Sequence, residues 1–293
     1  WNKMKYVGEA GLLFKMEKEI SDDIEYLRKN WSKVNKLWNE GDKPVTEYVL
    51  KTAYSANFVA KVGEPLGIFQ VPALATVQDE NSPYYGKVIV DANGIPTTSN
   101  SEMKTIGSSA PDFNMGFNTR VSYKGFTLSA VADWRKGGYM YSYTAQLMHF
   151  VGNTTRSLFN NREPFVVPNS VIALKDGGYA ENNRPVTSDN MSSYYSDSYS
   201  DSQFENFIIP KGYVKLRELV LSYSFPKAWI SKLGIQQLDL SLIGRNLFMW
   251  TPKANNYVDP ETTTFGNDIA SELGEFAALP STRNIGGGIK VVF

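Results

Sequence analysis

Residues 213–250 read YVKLRELVLSYSFPKAWISKLGIQQLDLSLIGRNLFMW, and their pattern decides the fold. Successive side chains of a strand point to opposite faces, so a half-buried strand shows a period of two. Leu219, Leu221, Tyr223 and Phe225 share one parity, and Leu238, Leu240, Leu242, Phe248 and Trp250 share another. The connection between them, PKAWISKLGIQ, is short. Both runs exceed the roughly 5–6 residues usual for a soluble strand and reach the roughly 9–11 that a tilted membrane-spanning strand needs. Tyr223 and Trp250 stand near strand ends, where a transmembrane barrel carries its aromatic girdles.

The same signal recurs outward from this stretch. In GFNTRVSYKG, Phe117, Val121 and Tyr123 oppose Asn118, Arg120, Ser122 and Lys124. FTLSAVADW follows at once, with Phe126, Leu128, Ala130, Ala132 and Trp134 on one face, and Lys124-Gly125 is a tight hairpin signal. Downstream, NIGGGIKVVF sets Ile285, Gly287, Ile289, Val291 and Phe293 against Asn284, Gly286, Gly288, Lys290 and Val292. Upstream, EYVLKTAYSANFVA places Tyr48, Leu50, Tyr54 and Phe58 together, and KMKYVGEAGLLFKM places Met4, Tyr6, Leu12, Phe14 and Met16 together. These make seven strands. Single-chain bacterial barrels have even strand numbers, so either an eighth strand is hidden or the chain is part of a larger barrel. Long polar stretches at 61–115, 135–212 and 251–282 alternate with short connections, as extracellular loops alternate with periplasmic turns. One segment differs: Ile20, Ile24, Leu27, Trp31, Val34 and Trp38 have helical spacing behind Ser21-Asp22-Asp23, which predicts a short amphipathic helix.

Composition narrows the function. The 293 residues carry 30 basic and 30 acidic side chains, so no electrostatic footprint for nucleic acid is present. With no Cys and a single His, His149, neither a disulfide nor a zinc site built from several His or Cys residues can form. Aromatics make up 13%, with 17 Tyr, which suits boundaries between water and apolar phases. No run of 18 apolar residues marks a transmembrane helix, and averaged hydropathy does not reveal barrel strands. The chain opens on Trp1 without methionine and reads as part of a longer or processed protein.

The block from YVKLRELVL to FMWTP resembles the C-terminal region of SusC/RagA-type TonB-dependent outer-membrane transporters. So do VDPET, LPSTRNIGGGIKVVF and the upstream VGEPLGIF and IGSSAPDFNMGFNTRVSYKGFTLSAVADWRKGG. The resemblance runs from about residue 62 onward. It implies an all-β fold: the C-terminal strands, about seven or eight, of one large antiparallel transmembrane β-barrel domain spanning residues 1–293, of about 22 strands in the full protein. A plug domain and the N-terminal barrel strands are not in this chain. Also implied are TonB-driven import of a large nutrient, an oligosaccharide first and an oligopeptide second, and residence in the outer membrane among its lipids. The partners implied are a SusD-like surface lipoprotein as lid, the TonB complex through the plug, the barrel-assembly machinery, and a dimer of transporter–lipoprotein pairs. Phe293 is similar to the family's barrel-assembly signal. Asp259 and Glu261 match its DPE element and read as fixing a loop. A passive porin or surface-binding barrel without TonB coupling is the alternative. A soluble β-sandwich enzyme is a third class, and the long strands argue against it.

Candidate sites are few. SSYYSDSYSDSQFENF, residues 192–207, sets Tyr194, Tyr195, Tyr199, Phe204 and Phe207 among Ser and Asp. Aromatic faces beside hydrogen-bonding groups suit sugar or peptide recognition, and packing against neighbours is the commoner use. Asp197 and Asp201 are the one calcium reading, and no other cofactor is expected. Gly286–Gly288 precede no helix and make no phosphate loop. His149 lacks a G-x-S-x-G partner and reads as a packed loop residue. Arg217 shares parity with Leu219 and Leu221, which places it near a membrane boundary or has it snorkel, whereas Arg245 points to the lumen. For both, pairing with acids of the plug or a neighbouring strand is favoured over substrate binding.

Overall fold

The computed structural model describes residues 33–195 and 201–293. A small hairpin of β1 (Asn39–Glu40) and β2 (Lys43–Pro44) comes first. Strands β3 (Glu47–Ala53), β4 (Ala56–Lys61) and β5 (Ile68–Leu74) follow, then β6 (Val88–Val90) and the long β7 (Thr98–Ser108). Four of these form an antiparallel sheet in the order β3-β4-β5-β7. The stretch EYVLKTAYSANFVA is therefore a hairpin, not one strand. Tyr54 takes a left-handed φ of 53° at the turn, and a register shift between Val49 and Lys51 resets the parity. Residues 61–115 are likewise not an unbroken loop. β5, IFQVPAL, begins with four buried residues in a row, so it shows no alternation. β7, TSNSEMKTIGS, is polar on both faces and gives no hydrophobic period.

The expected strand over residues 3–16 lies outside the described residues, as does the expected helix up to residue 32. Its last six residues are not helical. Val34 donates to the Glu64 carbonyl and accepts from Gly63, and Trp38 packs edge-on against Tyr48. Tertiary pairing overrides the local period there.

The wall of the molecule is a five-stranded antiparallel meander. It comprises β8 (Phe113–Tyr123) and β9 (Phe126–Lys136), then β14 (Tyr213–Ser224), β15 (Gln237–Trp250) and β17 (Asn284–Val292). Neighbours in space follow chain order, β8-β9-β14-β15-β17. Lys124 and Gly125, both at positive φ (47° and 89°), make the two-residue turn that matches strand twist. At the same end, residues 225–236 carry a helical turn, Lys227–Ile230, and then a 3-10 turn, Ser231–Leu233, that Gly234 closes in the left-handed conformation. The opposite end carries the long connections, so the expected alternation of short turns and long loops is present.

The wall has two unlike faces. Cross-strand partners Val121 and Leu128, Leu128 and Leu221, and Leu221 and Leu242 form one continuous apolar row. Leu242 and Ile289 on that face are 58% and 73% exposed. Aromatics bound it at both ends. Phe126, Tyr223 and Phe225 touch ring to ring at the short-turn end, with centroids 4.5 and 4.9 Å apart. Phe113 meets Trp134 and Phe248 stacks on Trp250 at the other. From Phe126 to Trp134 the strand rises ~27 Å, or about 21 Å along the normal at a tilt of ~40°, close to the apolar band of a membrane barrel. The opposite face bears Arg120, Ser122, Thr127, Ser129, Ser222, Asp239, Ser241 and Lys290, the composition of a water-filled lumen.

Beyond the wall's long-loop end lies a packed layer. Gly137-Gly138 and Lys211-Gly212 interrupt the β9–β14 ladder, which resumes as β10 (Tyr139–Ser142) against β13 (Ile208–Pro210). Another small sheet joins β11 (Ser170–Ala173) to β12 (Tyr179–Glu181) and β6. β16 (Gly274–Glu275) joins β10 in parallel, and a Cβ on Gly274 would stand 1.8 Å from the Tyr141 carbonyl oxygen. The core of this layer is Phe58, Phe69, Val71, Tyr141, Phe204, Phe207 and Leu273, all buried. Each such large side chain contributes roughly 1.5–3 kcal/mol through burial.

Candidate functional site

Where the polar face meets the loop layer, β14 carries Tyr213, Lys215 and Arg217 toward the loop segment Asp259–Thr262. Lys215 Nζ donates to both Asp259 oxygens at 2.6 and 2.7 Å and to Glu261 Oε2 at 2.5 Å. Arg217 Nε donates to Asp133 Oδ2 on β9 at 2.6 Å, and both its Nη atoms reach Glu261. The Tyr213 hydroxyl donates to Glu261 Oε1 at 2.6 Å. Burial alone would raise the Glu261 pKa, but donors from Arg217, Lys215 and Tyr213 outweigh it and hold the carboxyl at about 2. The cluster latches the 251–283 connection to the wall, and Asp259 and Glu261 fix a loop as their motif implies.

Arg217 does not sit at a membrane boundary. The pairing shifts between Leu216 and Glu218, so Arg217 is an extra residue on β14 relative to β9 and turns with Glu218 to the polar face. Parity counting fails across a bulge, and no residue type in RELVL announces it. Arg245 donates from Nε to Glu218 on the neighbouring strand at 2.9 Å, which is the structural pairing expected of it. Lys211, beside this cluster, is buried and paired with Glu272 at 2.6 Å.

The aromatic loop is folded inward. Tyr195, Phe204 and Phe207 are 7%, 1% and 2% exposed, so their rings build the core and are not presented to a ligand. Tyr194 packs edge-on against Phe165 and Tyr195. Tyr199 and Asp197 lie outside the described residues, as does the side chain of Asp201. His149 is buried on the helix Tyr143–Phe150 between Tyr195 and Phe207, with Nδ1 at 3.1 Å from the Thr154 hydroxyl. Burial, then the charge of Arg156, lowers its pKa to about 4, so the ring is neutral. Asp91 accepts from the Asn93 and Ile95 amides and shapes a turn. Phe293 follows β17 and is 79% exposed.

Two open clefts flank the segment Lys253–Tyr257. One, of about 510 Å³, lies between it, β7 and β13. The other, of about 760 Å³, lies between it and residues 278–283. The same segment continues into Asp259, which lines the second cleft and belongs to the latch on the polar face. Sequence reasoning missed them, since their walls come from segments up to a hundred residues and more apart.

No family model matches the chain. It is 25% identical over 226 residues to TonB-dependent receptor P3 of Formosa agariphila, which covers 75% of this chain and 20% of that receptor. TonB-dependent receptor P26 of the same organism is 24% identical over 207 residues, covering 69% of this chain and 19% of the receptor. The chain thus spans about a fifth of the length of the curated relatives it matches. In structure it is similar to the RagAB peptide importer in its open-open state, with a TM-score of 0.54 and 18% identity over 89% of this chain and 25% of that one. The closed-closed state gives 0.52, at 18% identity over 88% and 26% of the two chains. The resemblance to SusC/RagA-type transporters holds, and the fold is that of antiparallel strands from such a barrel.

Proposed function

We propose that this chain, a relative of TonB-dependent receptors, forms the C-terminal part of a plugged outer-membrane barrel that imports a large nutrient with energy from TonB. The observation that carries this reading is the wall itself: long strands with a lipid-facing apolar row between two aromatic belts and a polar opposite face. A passive barrel shares that wall, and the similarity to TonB-dependent receptors favours the driven transporter. In this reading the short turns face the periplasm and the packed loop layer faces outward, where a SusD-like lipoprotein closes over it. The chain's part is to shape the lumen and hold the loops that meet substrate, with no bond made or broken. The substrate is an oligosaccharide, with an oligopeptide as the competing reading.

The test is uptake of labelled oligosaccharides and oligopeptides by cells carrying the full-length protein, with and without an intact TonB complex. Uptake that stops when TonB is removed supports the proposal. Uptake that continues unchanged assigns a passive barrel.

A further inference from the structure

The cleft between β7, β13 and the Lys253–Tyr257 segment is basic. Lys104, Arg156 and Lys253 line it against a single acid, Glu205, which Lys104 already binds at 2.7 Å. The ion pairs among the described residues include neither Arg156 nor Lys253, although the chain as a whole is neutral. Cations in a concave site that have no acid partner among the described residues focus potential and attract anions. The rings of Tyr139 and Tyr257 and the amides of Asn206 and Asn256 line the same space. Flat apolar faces beside hydrogen-bonding amides suit the ring faces and hydroxyls of a sugar.

A peptide would bind by adding a strand to a free sheet edge. Two edges border the cleft: β13, which has three residues and ends in Pro210, a residue without an N–H, and β7, the outer strand of its sheet, whose Lys104, Thr105 and Ile106 line the space. The Pro210 carbonyl already accepts from Asn255 Nδ2 at 3.1 Å, and an acidic peptide on β7 is the competing ligand that the experiment below separates from a glycan.

We infer that this cleft takes an acidic group, a carboxylate or a sulfate, carried by an oligosaccharide that the barrel imports. This rests on the import reading above and narrows its substrate to anionic glycans. Arg156 and Lys253 supply the charge, and Tyr139 and Tyr257 the stacking surface.

The experiment is calorimetric titration of the full-length transporter, purified in detergent with any partner that accompanies it. The probes, matched in length, are an oligogalacturonate, a sulfated galacto-oligosaccharide, a neutral galacto-oligosaccharide and a glutamate-rich peptide. The acidic sugars are expected to bind, and to bind more weakly as salt is added to the wild-type protein. The double variant Arg156→Gln, Lys253→Gln is expected to lose about tenfold in affinity for them. Lys232→Gln, on the far short turn, leaves that affinity unchanged. Equal affinity for neutral and acidic sugars, no binding of any probe, or a double variant that binds as well as wild type overturns the inference. Preference for the acidic peptide overturns it too, by assigning the cleft to a different polymer. TonB-dependent uptake of a neutral sugar alone would leave the import reading standing and remove only this one.

Discussion

Glu275 is completely buried, yet its carboxylate accepts from the Ser142 and Thr144 hydroxyls and the Thr144 and Ala278 amides. It ties β16 to the start of the helix Tyr143–Phe150. Glu275→Ala strands several donors and is expected to destabilise the loop layer by about 2–3 kcal/mol, read as a lower unfolding midpoint of the full-length protein. Glu261 gives a pH signature. Its pKa is about 2 when latched and 4.5 when free, so it stabilises the latch fully above about 4.5 and loses that effect as pH falls toward 2. Hydrogen exchange in residues 251–283 should rise across that window and lose the dependence in Glu261→Gln. His149 acts in a higher window. Buried neutral at about 4 against 6.5 when free, it lets the unfolded chain take up a proton that the native one refuses. Stability of the loop layer should therefore fall from pH 6.5 to about 4, and His149→Gln should flatten that slope. Little of this was legible beforehand. Asp259 and Glu261 were recognisable as loop anchors from their motif, whereas Glu275 is one acid among 30 until β16 is placed beside β10.

At the scale of the element, the wall strands were legible because each divides two solvents. One face meets lipid and the other water, so β8, β9, β14, β15 and β17 alternate, apart from the bulge at Arg217. The strands that escaped notice do not divide two solvents. β5 is mostly buried on both faces, and β7 is polar on both. A substitution pair tests the division on β9. Leu128→Arg puts a charge in the middle of the apolar row and should destabilise the barrel by roughly 2–4 kcal/mol. Ser129→Arg, one residue on, points to the polar face and should change stability little. Heat-modifiability of the full-length protein on gels, from folded to unfolded mobility, would report both. Equal damage from the two changes would mean that the faces are assigned wrongly.

For the whole molecule, five wall strands and a cored loop layer make a division of labour: the wall holds the membrane and the layer, latched through Lys215 and Arg217, holds the clefts. The central claim is that the β8-β9-β14-β15-β17 sheet is barrel wall, with Leu128, Ala130 and Ala132 toward lipid and Thr127, Ser129 and Val131 toward water. The chain contains no cysteine, so within these 293 residues no native thiol competes with an introduced one. The most direct measurement is labelling of a cysteine at each position from Thr127 to Ala132, in native outer membranes, with a charged water-soluble maleimide. The account predicts labelling at 127, 129 and 131 and protection at 128, 130 and 132. Uniform labelling along the strand, or protection at the odd positions instead, would contradict it.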